Sequence, residues 1–129
     1  MSSDVYYPTL AEAIAFNQAF IGQKGVRDVG LLQSALMRPG SSAFGQDAYP
    51  DAWTKAAALL HSIIRNHPFM DGNKRTGVNL ALAFLGRNGE DVDQADPDAL
   101  IDLAVAIANT PIEVPEISVR LRLALVPSP

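Results

Sequence analysis

Residues 65–79 read RNHPFMDGNKRTGVN and join the end of one apolar helix to the start of another. Pro68 disfavours helical geometry in the residue before it, so the first of these helices is predicted to stop at His67. The second is predicted over about residues 73–88, and its apolar body indicates the central buried helix of the fold. The first helix carries its apolar stripe at helical spacing, on Trp53, Ala57, Leu60 and Ile64.

The start of the second helix is predicted to attract an anion. Backbone N–H groups in the first turn of a helix have no partner within the helix, and the helix dipole is positive there. Lys74 and Arg75 add two positive charges to that turn, which costs about 0.3–1 kcal/mol for each residue unless an anion is bound. Gly72 allows a ligand to come close to the backbone. The sequence therefore predicts a phosphate-binding turn at this junction.

The same turn carries side chains suited to proton transfer and metal binding. Histidine is the side chain that exchanges a proton most readily near neutral pH, so His67 is a candidate general base. Asp71 is a carboxylate among cations, suited to hold a divalent metal that bridges phosphates or to align an accepting hydroxyl. Phe69 is expected to anchor the loop, Asn73 to hold its turn, and Arg65 to reach phosphate or orient Asp71. This combination predicts group transfer from a nucleotide to a hydroxyl.

The rest of the chain is also helical by its apolar spacing, and no strand pattern is convincing. Thr9 with Glu12 matches a capping box, and Asp51 and Asp96 are placed to cap later helices. Residues 39–50 are rich in Pro, Gly and Ser and are interpreted as a loop. We therefore predict a compact all-α single domain of six helices over residues 1–129, with the remaining helices at about 10–21, 28–37, 97–109 and 114–125.

Composition narrows the possible functions. Of 129 residues, 48% are hydrophobic and 19% are charged, an ordinary globular balance. The net charge of −4 does not favour direct binding to nucleic acid or to an anionic membrane. The absence of cysteine excludes disulfides and a thiolate zinc site, and the start MSSDVYYPTL lacks signal-peptide features, so we expect a cytoplasmic protein. Basic residues gather in 55–87 and acidic residues in 90–98, either as two solvated surfaces or with an anion site in the basic segment.

The stretch HPFMDGNKRT, residues 67–76, resembles the signature of the Doc branch of the Fic/Doc superfamily, His-x-Phe-x-Asp/Asn-Gly/Ala-Asn-Lys-Arg-Thr. The chain length and helical layout are similar to a minimal Doc toxin over nearly the whole sequence. The resemblance implies a Fic/Doc-like fold and a kinase that moves the γ-phosphate of ATP to a threonine of a translation elongation factor, arresting translation. It also implies ATP and Mg²⁺ as cofactors, and a cognate antitoxin whose C-terminal helix covers the site.

The resemblance assigns roles to individual residues. His67 would be the general base, and Asp71 the magnesium ligand, with Lys74 also in the catalytic set. The residues implied to bind the nucleotide are Arg65, Gly72, Asn73, Lys74, Arg75 and Asn79. Of these, Arg75 and Asn79 are four residues apart and are expected to share one face of their helix.

Two positions differ from the AMP-transferring Fic branch, which has glycine where this chain has Lys74 and arginine where it has Val78. Both differences point away from AMP transfer, and at position 74 the lysine fills space that the inner phosphates of a nucleotide would use. AMP or nucleotidyl transfer to a protein hydroxyl is the alternative activity. A catalytically silent partner-binding module is the alternative of another class.

Other prominent residues are given structural or binding roles. His61 is interpreted as structural, and the aromatic residues Trp53, Phe16, Phe20 and Phe84 as core. Phe44 and Tyr49 are expected either to be buried or to anchor an antitoxin helix, in a groove between residues 39–50 and the fourth helix.

Overall fold

The computed structural model describes residues 4–126. Over these residues the chain forms six α-helices, a 3₁₀ turn and a small hairpin, so the predicted all-α, six-helix architecture is confirmed. No helix in the described part is long and apolar enough to cross a membrane. In chain order the elements are α1 (Leu10–Ile21), α2 (Val29–Met37), the 3₁₀ turn (Arg38–Gly40), β1 (Ser42–Ala43), β2 (Gln46–Asp47), α3 (Ala52–Asn66), α4 (Asn73–Arg87), α5 (Pro97–Asn109) and α6 (Val114–Leu125).

Most helices begin at the caps that the sequence marks. The Thr9 hydroxyl accepts the backbone N–H of Glu12 at 3.1 Å, and the Glu12 carboxylate accepts the N–H of Thr9 at 2.9 Å, which confirms the capping box. Asp51 caps α3 and Asp96 caps α5 through their carboxylates. Helix α4 differs, because its N-cap is Gly72, which forms no side-chain hydrogen bond. Among residues 4–126, the N–H groups at the start of α4 therefore have no side-chain acceptor.

The central helix is α3, and the prediction that α4 is central is wrong. Helix α3 packs against α2, α4, α5 and α6. Its residues 55–60 and 62–64 are buried. Three consecutive alanines at 56–58 allow close approach, because a methyl side chain keeps the helix narrow. Helix α4 packs closely on one side of it, where a Cβ added at Gly77 would lie 3.2 Å from Ile63 Cγ2.

A short hairpin lies within the segment that the sequence predicts as a loop. Ser42 in β1 pairs with Asp47 in β2, in antiparallel register. Phe44 and Gly45 connect the strands with φ angles of 55° and 77°, and two positive φ angles suit a two-residue hairpin turn. Strands of two residues are too short for an alternating pattern, so the sequence shows no strand signal here.

The aromatic residues predicted as core are buried to different degrees. Phe84 is fully buried, as predicted, and Phe16 and Trp53 are half-buried. The prediction for Phe20 is wrong, since this residue is 37% exposed. Its ring packs edge-on against Phe16, with 6.2 Å between centroids, and lies 5.3 Å below the Arg75 guanidinium. Phe20 therefore supports the first turn of α4.

Candidate active site

The junction loop, residues 67–72, is fixed from within by two neighbouring side chains. Phe69 is 1% exposed and anchors the middle of the loop in the core. Asn73 is also buried; its Oδ1 accepts the N–H of Phe69 at 2.9 Å and its Nδ2 donates to the Phe69 carbonyl at 3.0 Å. Both residues hold the turn as the sequence predicts. Because the amide of Asn73 is engaged in this way, its backbone N–H is the group left for a ligand.

His67 directly follows α3, so the helix ends where Pro68 predicts. Its backbone is left-handed, with φ 51° and ψ 56°. The side chain is exposed, and its Nδ1 lies 3.4 Å from the Arg65 carbonyl oxygen, which is long for a hydrogen bond. With the proton on Nδ1 toward that carbonyl, Nε2 carries the lone pair that can accept a proton. His67 is thus exposed and able to accept a proton.

Asp71 presents an ionised carboxylate at the surface of the loop. Its Oδ2 accepts a hydrogen bond from Lys24 Nζ at 3.0 Å. This bond, followed by the backbone N–H of Gly72, holds the pKa of the Asp71 carboxyl below its ordinary value. The Asp71 carbonyl accepts from Nδ2 of the buried Asn17 at 2.9 Å, and the same nitrogen lies 3.0 Å from Thr76 Oγ1. Helix α1 therefore fixes the backbone at Asp71 while the carboxylate faces solvent.

The first turn of α4 combines backbone donors with two exposed cations. The first hydrogen bond of this helix runs from the N–H of Thr76 to the Gly72 carbonyl at 2.8 Å, so the three preceding N–H groups have no carbonyl partner within the helix. Lys74 and Arg75 are both exposed. Asn79 Nδ2 donates to the Arg75 carbonyl at 2.9 Å. The structure thus contains the positively polarised turn that the sequence predicts.

Gly72 is required by packing as well as by conformation. Its φ is 76°, in the left-handed region. An added Cβ would collide with the side chain of Ile21 in α1. Packing against α1 therefore gives a second reason for this glycine, and close approach of a ligand stays a prediction.

Arg65 contacts a different part of the fold. Its Nη1 donates to the carbonyls of Ile107 and Thr110 at the end of α5, at 3.3 and 3.4 Å. A cation is favourable there, because the C-terminal end of a helix is negatively polarised. The cation that pairs with Asp71 is Lys24. Lys24, and not Arg65 as the sequence suggested, is therefore the residue that orients Asp71.

Asp71 is the candidate metal ligand of the loop. Within residues 4–126, no group of three or more His, Asp or Glu side chains lies close enough together to hold a metal ion by itself. Magnesium in nucleotide sites commonly takes one or two carboxylates together with phosphate oxygens. The ionised and exposed carboxylate of Asp71 fits that pattern, in which the nucleotide supplies the other ligands.

In the part of the chain that the structure describes, three polar side chains without a role predicted from the sequence donate hydrogen bonds to the loop: those of Asn17, Lys24 and Arg27. Asn17 could have been noticed in the sequence, because it is a polar residue on the buried face of the first helix. Lys24 and Arg27 lie in the loop between α1 and α2, where cations are ordinary surface residues. Arg27 Nε donates to the His67 carbonyl at 2.6 Å, and its Nη2 donates to the Asn66 carbonyl at 2.8 Å.

An apolar groove opens beside the cationic turn, between α4 and α5. Its volume is about 470 Å³. Polar residues lie at one side of it, namely Lys74, Arg75 and Asn79. The apolar lining consists of Val78, Pro97, Leu100, Ile101, Ala104 and Val105.

This groove is not the one predicted between residues 39–50 and the fourth helix. Phe44 stands fully exposed at the hairpin tip. Tyr49 is half-buried, and its hydroxyl accepts a hydrogen bond from Arg38 Nε at 2.8 Å. Neither residue lines the groove beside α4.

The class of this protein follows from its all-α fold together with a loop that carries a histidine and leads into a helix with a cationic first turn. A sequence model of the Fic/DOC family matches residues 7–85, and the chain belongs to this family. Toxin Doc of Mycolicibacterium smegmatis is 44% identical over 109 residues, which cover 80% of each chain. Protein kinase doc of Escherichia phage P1 is 35% identical over 115 residues, which cover 86% of this chain and 89% of the phage protein. The predicted resemblance to the Doc branch is confirmed.

Proposed function

We propose that this chain is the toxin of a toxin–antitoxin pair and acts as a protein kinase in the cytoplasm. It would transfer the γ-phosphate of ATP to a threonine hydroxyl of a translation elongation factor and so arrest translation. The names of the two relatives, Toxin Doc and Protein kinase doc, support the toxin and kinase classes. The observation that carries the proposal is the exposed His67, placed just before a helix start that has two exposed cations and no side-chain cap.

The transfer step follows from these groups. Nε2 of His67 accepts the proton of the threonine hydroxyl as its oxygen attacks the γ-phosphorus. The bond from the γ-phosphorus to the β,γ-bridging oxygen breaks, and ADP leaves with that oxygen. Lys74, Arg75 and the first N–H groups of α4 bind the phosphate oxygens, where negative charge is held in the transition state.

Asp71 is the residue that would hold Mg²⁺ beside the phosphates. Bound Mg²⁺ supplies neutralisation of charge on the phosphate oxygens. The pKa of Asp71, already lowered by Lys24 and the Gly72 N–H, keeps the carboxylate ionised at neutral pH. Arg65 is proposed to act less directly, since its hydrogen bonds go to the end of α5.

The test uses a purified elongation factor and ATP labelled with ³²P at either the α or the γ position. We expect label on the factor from γ-labelled ATP only. Label from α-labelled ATP would mean AMP transfer, with attack at the α-phosphorus and loss of pyrophosphate, and it would exclude the kinase. Intact-mass analysis of the factor gives the same distinction, because a phosphate and an adenylyl group differ greatly in mass.

His67→Ala is the decisive variant for catalysis. We expect a loss of at least about 100-fold in transfer rate, because a general base contributes on that order. His61→Asn is the matched control, because His61 is the other of the two histidines in the chain. Expression of wild type should arrest growth and expression of His67→Ala should not. Undiminished arrest by His67→Ala would instead indicate a catalytically silent binding module.

We further propose that the C-terminal helix of the cognate antitoxin covers this site from the groove between α4 and α5. The apolar lining suits the apolar face of an amphipathic helix. Lys74 and Arg75 beside it suit an acidic side chain on that helix. Such a carboxylate would occupy the positions proposed for phosphate oxygens and so prevent nucleotide binding.

A charge in the groove tests this surface. Val105→Asp should weaken antitoxin binding by at least about 10-fold, because a carboxylate would lose hydration against the apolar face of the helix. Binding is measured by titration calorimetry with the purified antitoxin. The control is Val119→Asp on α6, since Val119 is 57% exposed and Val105 is 43% exposed. Equal affinities for the two variants would exclude the groove as the docking site.

A further inference from the structure

The loop between α1 and α2 runs beside the junction loop and pairs with it through the backbone. The N–H of Met70 donates to the Gly25 carbonyl at 3.0 Å, and the N–H of Arg27 donates to the Pro68 carbonyl at 2.7 Å. Val26 and Phe69 form an antiparallel bridge between these bonds. A segment distant in sequence therefore sets the path of residues 68–70.

The side chain of Arg27 extends this contact to the end of α3. Nε and Nη2 donate to the carbonyls of His67 and Asn66, at 2.6 and 2.8 Å. Carbonyls at the end of a helix lack partners within the helix, and the dipole makes a cation favourable there. The planar guanidinium bonds the two oxygens from two nitrogens held in a rigid fork, whereas the donors of a lysine share one nitrogen at the end of a flexible stem. Arg27 thus caps α3 from outside the helix.

The conformation that Arg27 holds is unfavourable by itself. A non-glycine residue in the left-handed region costs on the order of 1–2 kcal/mol, and His67 has φ 51°. Among the described residues, the polar contact of its imidazole is the 3.4 Å approach of Nδ1 to the Arg65 carbonyl. Since this contact is weak, the position of the ring depends chiefly on the backbone that carries it.

We propose that Arg27 is a positioning residue, which holds the backbone of His67 so that its imidazole faces the substrate hydroxyl. This inference rests on the proposed kinase function, because it needs His67 to be the base. Arg27 acts through the carbonyls of Asn66 and His67 and leaves the phosphate-binding groups in place. Its loss therefore affects the transfer step and leaves ATP binding nearly unchanged.

The test compares Arg27→Ala, Arg27→Lys and wild type in phosphate transfer. We expect kcat to fall by about 10- to 100-fold in both variants, the loss typical of a misplaced catalytic group. The Kd for ATP, from calorimetry, should change by less than about twofold. Added guanidinium ion should restore part of kcat in Arg27→Ala, because it can reoccupy the vacated cap. Arg87→Ala is the control, since Arg87 ends α4 about 20 Å from its first residue.

A kcat equal to that of wild type in either variant would overturn the inference, as would a loss confined to ATP binding. NMR supplies a readout independent of transfer, because the ¹³Cα shift of His67 reports its left-handed backbone. We expect that shift to move in Arg27→Lys. This variant retains the positive charge, and it serves as the test if Arg27→Ala does not fold. An unchanged ¹³Cα shift would overturn the inference, whether or not the wild type transfers phosphate. Failure of the wild type to transfer phosphate would by itself contradict only the proposed function.

Discussion

At the scale of single residues, the junction loop depends on two left-handed positions, His67 and Gly72. They differ in what allows the conformation. Gly72 has no Cβ and adopts it without steric cost, whereas His67 needs the cap from Arg27. Both positions matter for the proposed function, because one presents the imidazole and the other begins the helix that carries Lys74 and Arg75.

Gly72→Ala should destabilise the protein by roughly 2–4 kcal/mol, from left-handed strain together with overpacking against Ile21. The free energy of unfolding, from urea titration, is the measurement. Gly89→Ala is the matched control, because Gly89 also has a positive φ, 94°, but an added Cβ there meets nothing within 4 Å. The Gly89→Ala variant should lose only about 1–2 kcal/mol of its free energy of unfolding. Equal losses at the two positions would show that contact with Ile21 does not matter.

At the scale of elements, the charge of the site is assembled from two segments of chain. The basic stretch 55–87 does not form one surface. Lys55 is buried and donates to the Pro39 carbonyl at 3.1 Å, and Arg87 pairs with Glu12 at 3.2 Å. Only Lys74 and Arg75 from that stretch lie in the first turn of α4, while the α1–α2 loop supplies the cations that contact the junction loop itself.

The division between predictable and unpredictable features follows from the range of the interactions. Thr9 and Asp51 cap their helices through residues three positions away, so these starts could be read from the sequence. Pro68 likewise acts on its direct neighbour. The bond from Lys24 to Asp71 spans 47 residues and that from Arg27 to His67 spans 40, and no local pattern encodes them.

Burial was predictable where helical spacing marked an apolar stripe, as at Ala57, Leu60 and Ile64, and not where hydrophobicity alone suggested it. The apolar body of α4 suggested a central helix, yet the centre is α3, because its alanines let four helices approach. Phe20 was expected in the core on hydrophobicity, and it lies instead beneath Arg75 at the edge of the site. Which face of a helix meets a neighbour depends on the packing of the whole molecule, which a single helix pattern does not contain.

At the scale of the whole molecule, one polar network joins the central helix to the segment that leads into the hairpin. Arg38 Nη1 donates to Ser62 Oγ at 2.9 Å and lies 2.9 Å from His61 Nδ1. An arginine is always a donor, so Nδ1 accepts and the imidazole is neutral in the fold. Burial, then the charges of Arg38 and Arg65, hold the pKa of His61 below its ordinary value of 6.5, against an opposing effect of Glu113.

This network makes global stability depend on pH. In the unfolded chain His61 takes up a proton near its ordinary pKa of 6.5, whereas the folded state resists protonation. The stabilisation is therefore complete above about pH 6.5 and decreases as the pH falls toward the lowered folded pKa, with a slope below about 1.4 kcal/mol per pH unit for one proton. His61→Asn, whose Oδ1 can still accept from Arg38, should flatten the dependence of the urea-unfolding free energy on pH below about pH 6.5. If the slope of the unfolding free energy against pH were unchanged in this variant, the proposed role of His61 would be contradicted. An NMR titration of His61 in the wild type with a midpoint above pH 6.5 would also contradict a neutral imidazole in this network.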